Sequence, residues 1–237
     1  MNTVQKAAIV TGASRGIGAA LVAAYRELGY TVTATARSLD ESSDTGVLTV
    51  SGDVAEPGVG ARIVDATLAR FGRVDTLVNN AGIFVSKPFT DFTDEDYDLV
   101  TGVNLRGFFE TSRSAIAAML SREGGGHVVN LSTSLVDHAN SQTPSALASL
   151  TKGGLNAVTR ELAIEYAARG IRVNTVALGS IRTPMHPPET QRALAALHPL
   201  GRMGEIDDVV NAIVYLENAS FVTGEIVHVD GGQSAGH

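Results

Sequence analysis

The stretch TGASRGIG, Thr11 to Gly18, decides how this chain is read. It follows directly on a short apolar run, Ala7–Val10, and opens a segment whose apolar residues recur every three or four positions. That is the pattern of a strand, a tight turn and a helix. Glycines in such a turn let backbone N–H groups approach a pyrophosphate at the positive end of the helix dipole. Directly behind a first strand, this spacing predicts a dinucleotide site. Gly12, Ser14, Arg15, Ile17 and Gly18 are the residues expected to line it.

Working outward, runs rich in Val, Ile and Thr alternate with amphipathic segments. The predicted strands are Ala7–Val10, Thr31–Thr35, Val47–Val50, Thr76–Val78, His127–Asn130, Val173–Val176 and Glu225–Val229. Helices are predicted near residues 16–28, 58–71, 94–122, 146–169 and 205–217. This alternation predicts an α/β domain with a seven-stranded, mainly parallel sheet covered by helices on both faces. No linker, repeat or low-complexity segment divides the chain, so residues 1–237 read as one domain. The proline-interrupted stretch RTPMHPPETQRALAALHPLGR, residues 182–202, reads as a lid-like insertion over the site.

Composition narrows the chemistry. The 237 residues contain no cysteine, which excludes disulfides, thiolate metal ligands and a cysteine nucleophile. No apolar run approaches the length of a membrane span, and the N-terminus shows no signal-peptide pattern, so a cytoplasmic protein is expected. The net charge is −7 and no Lys/Arg cluster forms a basic stripe, so nucleic acid is not an expected partner. No metal site is expected either, and a small-molecule substrate is the better starting point.

The end of the second predicted strand bears on the ribose of a bound dinucleotide. A carboxylate there would accept from a 2′-hydroxyl and repel a 2′-phosphate. The sequence instead reads Ala36, Arg37, Ser38. Arg37 and Ser38, helped by Arg15 of the glycine loop, can meet a 2′-phosphate with charge-assisted hydrogen bonds. NADPH/NADP is therefore expected over NAD.

With NNAG at Asn79–Gly82, the chain closely resembles the short-chain dehydrogenase/reductase family over nearly its whole length. The matching motifs are TGASRGIG, GDV at Gly52–Val54, NNAG, the Asn of VNLRG at Asn104, and GHVVNLST at Gly126–Thr133. They continue with TKGGL at Thr151–Leu155, RGIRVNTV at Arg169–Val176, PLGRMGEIDDV at Pro199–Val209 and FVTGEIVHVDGG at Phe221–Gly232. The resemblance implies a doubly wound Rossmann-type sheet, a nicotinamide cofactor, hydride transfer and a homo-oligomer, dimer or tetramer. It implies that Asp53 and Val54 lie by the adenine and that Asn80, Ala81 and Gly82 line the cofactor. Ile181 and Thr183 would contact the nicotinamide carboxamide, and Lys152 the nicotinamide ribose. Asn104 would hold a water leading to Lys152.

The sequence departs from the family pattern in three places. Leu178-Gly179 stands where the family has Pro-Gly, which relaxes one rigid turn. The active-site serine is blurred among Ser132, Thr133 and Ser134. Distance from Asn130 favours Thr133, while the stretch before Lys152 is about two residues longer than usual. Most consequential, Ala148 occupies the place of the family's proton-donating tyrosine, and no Tyr falls between Ser134 and Glu165.

Ala148 donates nothing, yet Lys152 follows one helical turn later on the same face, so cofactor binding is expected to survive. A water between Asn104 and Lys152, or His138 in the preceding loop, are possible proton sources. An electron-poor acceptor needs neither, because the anion it forms is already stabilised, and a small Ala148 is expected to leave room for a flat ring. His186 and His138 otherwise read as ordinary polar loop residues. The favoured reading is an NADPH-dependent reductase of quinones or activated carbonyls. The alternatives are a non-catalytic NADP-binding sensor or regulatory protein and a conventional alcohol/ketone dehydrogenase with a relocated acid.

Overall fold

The computed structural model describes residues 5–184 and 186–236. Seven strands, β1 (Ala7–Thr11), β2 (Thr31–Ala36), β3 (Val47–Ser51), β4 (Thr76–Asn79), β5 (Gly126–Thr133), β6 (Ile171–Leu178) and β7 (Ile226–Val229), form one sheet in the order β3-β2-β1-β4-β5-β6-β7. Every neighbouring pair is parallel. The helices are α1 (Gly16–Glu27), α2 (Val59–Phe71), α3 (Asp94–Thr101), α4 (Gly107–Leu120), α5 (Ala146–Tyr166), α6 (Pro188–Ala195) and α7 (Ile206–Asn218).

Strand side chains alternate between the two faces, and this alternation builds two cores. Ala8 and Val10 of β1, with Val78 and Val129, pack under Leu21 and Tyr25 of α1 and Val209, Ile213 and Leu216 of α7. Ile9, Leu77 and Val128 point the other way, under Ile63 of α2, Ile116 and Met119 of α4 and Ala163 of α5. A parallel sheet covered on both faces needs apolar side chains on both, which is why its strands read as near-continuous Val/Ile/Leu/Ala runs. No helix among the described residues is long and apolar enough to cross a membrane.

Two elements differ from the sequence expectation. The helix predicted near 94–122 is α3 and α4 joined by one π-helical turn, Gly102–Arg106. The insertion at 182–202 carries a helix of its own, α6, none of whose side chains is buried. Met185 of that insertion lies outside the described residues.

Candidate cofactor and active site

The sheet order reverses between β1 and β4, so the loops behind these two strands diverge and leave a crevice at their C-terminal ends. Gly12–Arg15 follow β1 and Asn80–Gly82 follow β4. Thr11 ties the two loops together: its Oγ1 accepts from the backbone N–H of Asn80 at 3.1 Å and of Ala81 at 3.0 Å. The Asn80 amide returns the contact, donating to the carbonyls of Thr11 at 2.8 Å and Gly12 at 3.1 Å. Gly12 needs to be glycine here: its φ is +67°, and a Cβ would stand 2.9 Å from the Ala81 Cα.

Helix α1 starts at Gly16 with Arg15 in the capping position, no side chain caps it, and its first turn has no acidic residue. Among the described residues no side chain caps its leading N–H groups and no acidic residue of its first turn offsets the positive dipole end, which fits an anionic ligand such as a pyrophosphate. Ser14 and Arg15 are exposed at this end, Ile17 is half-buried and Gly18 buried. Thr183 and Pro184 lie across it, their carbons 3.8 Å from where a Cβ on Gly16 would sit. Arg37 and Ser38 are exposed just past β2. Neither Arg15 nor Arg37 makes a salt bridge among the described residues. Asp53, after β3, turns its carboxylate onto its own loop and accepts from Ala55 N at 2.9 Å. Buried Val54 packs against the Gly107 backbone, where a Cβ would come within 2.8 Å of it.

At the other end of the crevice, the Lys152 ammonium donates to the Leu131 carbonyl of β5 at 2.8 Å. Burial pushes its pKa down to about 8. Gly82 lies beside both Lys152 and Asn104: a Cβ there would be 3.2 Å from Lys152 Nζ and 3.5 Å from Asn104 Oδ1. Asn104 sits in the π-helical turn. Its Oδ1 accepts from Ile83 N at 3.0 Å, and its Nδ2 donates to the Ile83 carbonyl at 3.1 Å and Thr151 Oγ1 at 3.2 Å. A cavity of about 10 Å³ adjoins it, lined by Thr11, Asn79, Ala81, Asn104 and Leu155 among others. That is room for about one water, but Lys152 is not part of the lining.

The three hydroxyls around the end of β5 have different surroundings. Ser134, which opens a 3-10 turn, is buried and donates away from Lys152, toward the Leu178 carbonyl at 3.2 Å and Gln233 Oε1 at 3.0 Å. Ser132 is buried and donates to the Lys152 carbonyl at 3.4 Å. Thr133 is half-buried, and its Oγ1 accepts from Leu135 N at 3.3 Å. Its hydroxyl hydrogen is the one of the three without a partner among the described residues.

Ala148 corrects one expectation. It is only 3% exposed, so the truncation opens no room for a flat ring beside α5. The loops after β4 and β5 meet before α5, where Ser86 Oγ donates to the Pro144 carbonyl at 2.9 Å. His138 stays in the loop, its N–H bonded to the Ser134 carbonyl at 2.9 Å. His186 uses Nδ1 to donate to the Ile181 carbonyl at 2.8 Å, next to buried Ile181.

Three features escaped the sequence reading. Thr11 lies inside the quoted glycine motif, but its stitching role depends on a partner loop 69 residues away. The π-helical turn is flanked by Gly102 and Gly107, which was the available signal. His198 is buried between α6 and the turn after β6, and no local pattern announces it. Among the described residues, no group of three or more His, Cys, Asp or Glu could hold a metal ion.

A family model described as enoyl-(acyl carrier protein) reductase matches residues 12–234. The chain is 36% identical to 3beta-hydroxysteroid dehydrogenase 1 of Eggerthella lenta, covering 97% of this chain and 94% of that protein. It superposes on a blue fluorescent protein from a metagenomic library, solved in complex with NADPH, with a TM-score of 0.87 and 32% identity over 99% of this chain and 100% of that one. ElxO, solved with NADP bound, gives a TM-score of 0.90 and 27% identity over 98% of this chain and 100% of the other.

Proposed function

The chain belongs to the short-chain dehydrogenase/reductase family of oxidoreductases, and on that footing we propose that it is an NADPH-dependent reductase of small electron-poor acceptors, such as quinones or activated carbonyls. NADPH, when bound, supplies the hydride. The rest of the reading concerns what the chain's own residues do.

The open N-terminus of α1, with Gly12, Ser14, Ile17 and Gly18, holds the pyrophosphate. Arg15, Arg37 and Ser38 take the 2′-phosphate. The two guanidiniums, which make no salt bridge among the described residues, support NADPH over NADH, as do the solved relatives that hold NADP or NADPH. Asp53 and Val54 flank the adenine, Asn80, Ala81 and Gly82 line the middle, and Ile181 and Thr183 hold the carboxamide. Lys152 releases Leu131 and donates to the ribose. Asn104 fixes the Ile83 backbone and helps shape this end of the crevice. Residues 182–202 act as the lid, and α6, with no buried side chain, supports that reading. A homo-oligomer is the expected assembly.

The observation that carries the choice of acceptor is Ala148 at the place where the family has its proton donor, with the Lys152 ammonium turned to the Leu131 carbonyl. Ala148 has no proton to give, Ser132 and Ser134 spend their hydrogens inside the fold, and Thr151 donates into its own helix at the Leu147 carbonyl, 2.8 Å away. Thr133 is left to hydrogen-bond the acceptor oxygen, but an aliphatic hydroxyl is far too weak an acid to protonate it. Such proton transfer is worth about 10²–10⁴ in rate. An acceptor whose reduced anion is delocalised loses little of this. The test is NADPH oxidation by the purified protein across quinones, diketones and simple ketones. Turnover led by the electron-poor members supports the reading. Binding of NADPH with no oxidation by any of them replaces it with a non-catalytic NADP-binding role.

A further inference from the structure

After β6 the chain must turn sharply to carry Ile181 and Thr183 back over the glycine loop. The turn begins at Leu178-Gly179, without a proline to stiffen it. From one side the sheet holds it, through Gly179 N donating to the Val229 carbonyl at 3.0 Å. From the other side His198 holds it, accepting the Ser180 N–H on Nε2 at 2.9 Å.

The tautomer follows from the partners. His198 Nδ1 lies 2.9 Å from the Leu194 carbonyl, which can only accept, so Nδ1 carries the hydrogen. Nε2 is then a bare acceptor aimed at Ser180. The ring is 3% exposed and both nitrogens are satisfied. It fits because position 179 has no side chain: a Cβ on Gly179 would stand 2.6 Å from Nε2. Leu194 belongs to α6, so a single imidazole links the insertion to the segment that carries Ile181 and Thr183. A parallel strap closes the far side, with Arg182 N donating to the Gly204 carbonyl at 2.8 Å and Gly204 N to the Ser180 carbonyl at 3.0 Å.

We infer that His198 is a positioning residue for the cofactor, whose neutral imidazole replaces the missing proline by pinning the Gly179–Ser180 turn and couples α6 to the placement of Ile181 and Thr183. The inference rests on the proposed NADPH site. A buried N–H that loses its acceptor is costly, so a misplaced turn should show in cofactor affinity rather than in folding alone.

The test uses the wild type, His198→Leu and His198→Gln, with NADPH affinity read by fluorescence titration and kcat and KM read with a quinone acceptor. His198→Leu keeps the volume and removes the acceptor, and its NADPH affinity should fall about tenfold, a factor of about 1.4 kcal/mol. His198→Gln presents an amide oxygen to Ser180 N and should return affinity to within about threefold of wild type. Equal affinity in wild type and His198→Leu, or no recovery in His198→Gln, overturns the inference and leaves the NADPH site standing. A wild type that does not bind NADPH overturns both. Should His198→Leu fail to fold, hydrogen exchange on the wild type decides. Residues 179–184 and 188–195 should gain protection together when NADPH is added, and protection of the first without the second is contrary to the coupling.

Discussion

Lys152 reaches from α5 to donate its ammonium to the Leu131 carbonyl of β5 at 2.8 Å, one helical turn beyond Ala148. In the proposed site, with no tyrosine to act on, it holds the ribose. Lys152→Ala is expected to weaken NADPH binding about tenfold in a fluorescence titration, from the loss of charge-assisted hydrogen bonds. The pH dependence follows from burial, which brings the ammonium down to about 8. Below that value the group is charged and donates fully, so affinity should be flat there and decline as pH rises past about 8. Retained affinity with abolished turnover would instead make Lys152 a direct participant in proton transfer.

Arg37 stands exposed at the end of β2 with no salt-bridge partner among the described residues. Arg37→Asp replaces a cation with a group that repels a 2′-phosphate and accepts from a 2′-hydroxyl. The ratio of NADPH to NADH affinity should drop by at least about tenfold. An unchanged ratio removes Arg37 from cofactor selection.

Ala148→Tyr tests the burial seen at this position. Because Ala148 is 3% exposed, a phenol ring must displace packed neighbours. Overpacking of this kind costs about 1–3 kcal/mol, which lowers Tm by about 2–12 °C in a chain of this size. A variant that melts with the wild type and gains simple-ketone reduction would mean that the pocket for the tyrosine is still open.

Glu217 anchors a polar network at the opposite end of the sheet from the crevice. Its buried carboxylate accepts from Tyr30 at 2.8 Å, Tyr25 at 3.0 Å, His127 Nδ1 at 3.0 Å and Thr76 at 3.1 Å. Burial alone would raise its pKa, but the hydrogen bonds from His127, Tyr30 and Tyr25 outweigh it and hold the carboxyl below its ordinary 4.5. Burial likewise pushes His127 below its ordinary 6.5. For both groups the unfolded chain takes up the proton first, so their contribution is complete above these values and fades as pH falls. Glu217→Gln should cost about 2–4 kcal/mol at pH 7 and less at pH 4, measured by urea unfolding. An equal cost at both pH values contradicts the assignment.

The sheet was readable from the sequence because each strand is a local apolar run and each crossover a local amphipathic pattern. The glycine loop was readable because its function is a backbone conformation that the residues Gly12 and Gly18 permit directly. What escaped depends on packing between distant segments. Thr133 and Ser134 are adjacent in sequence, but one ends β5 and the other opens a 3-10 turn that buries its hydroxyl against Gln233. The burial of Ala148 is a property of tertiary packing, and no local pattern encodes it. His198 looks like any loop histidine until Gly179 and Leu194 are brought beside it.

We propose that hydride transfer here proceeds without a tyrosine acid at position 148. A simple ketone becomes a strongly basic alkoxide when hydride arrives and needs a proton at once. A quinone becomes an aromatic anion whose charge is spread over the ring. The direct measurement is kcat/KM with NADPH for a benzoquinone against a saturated cyclic ketone of the same ring size. The quinone should be favoured by at least about 10²-fold over the ratio set by their uncatalysed reactivities with a nicotinamide, the lower bound of what a general acid contributes. A wild type that reduces the ketone as fast as the quinone holds another acid, such as Lys152, and contradicts this reading.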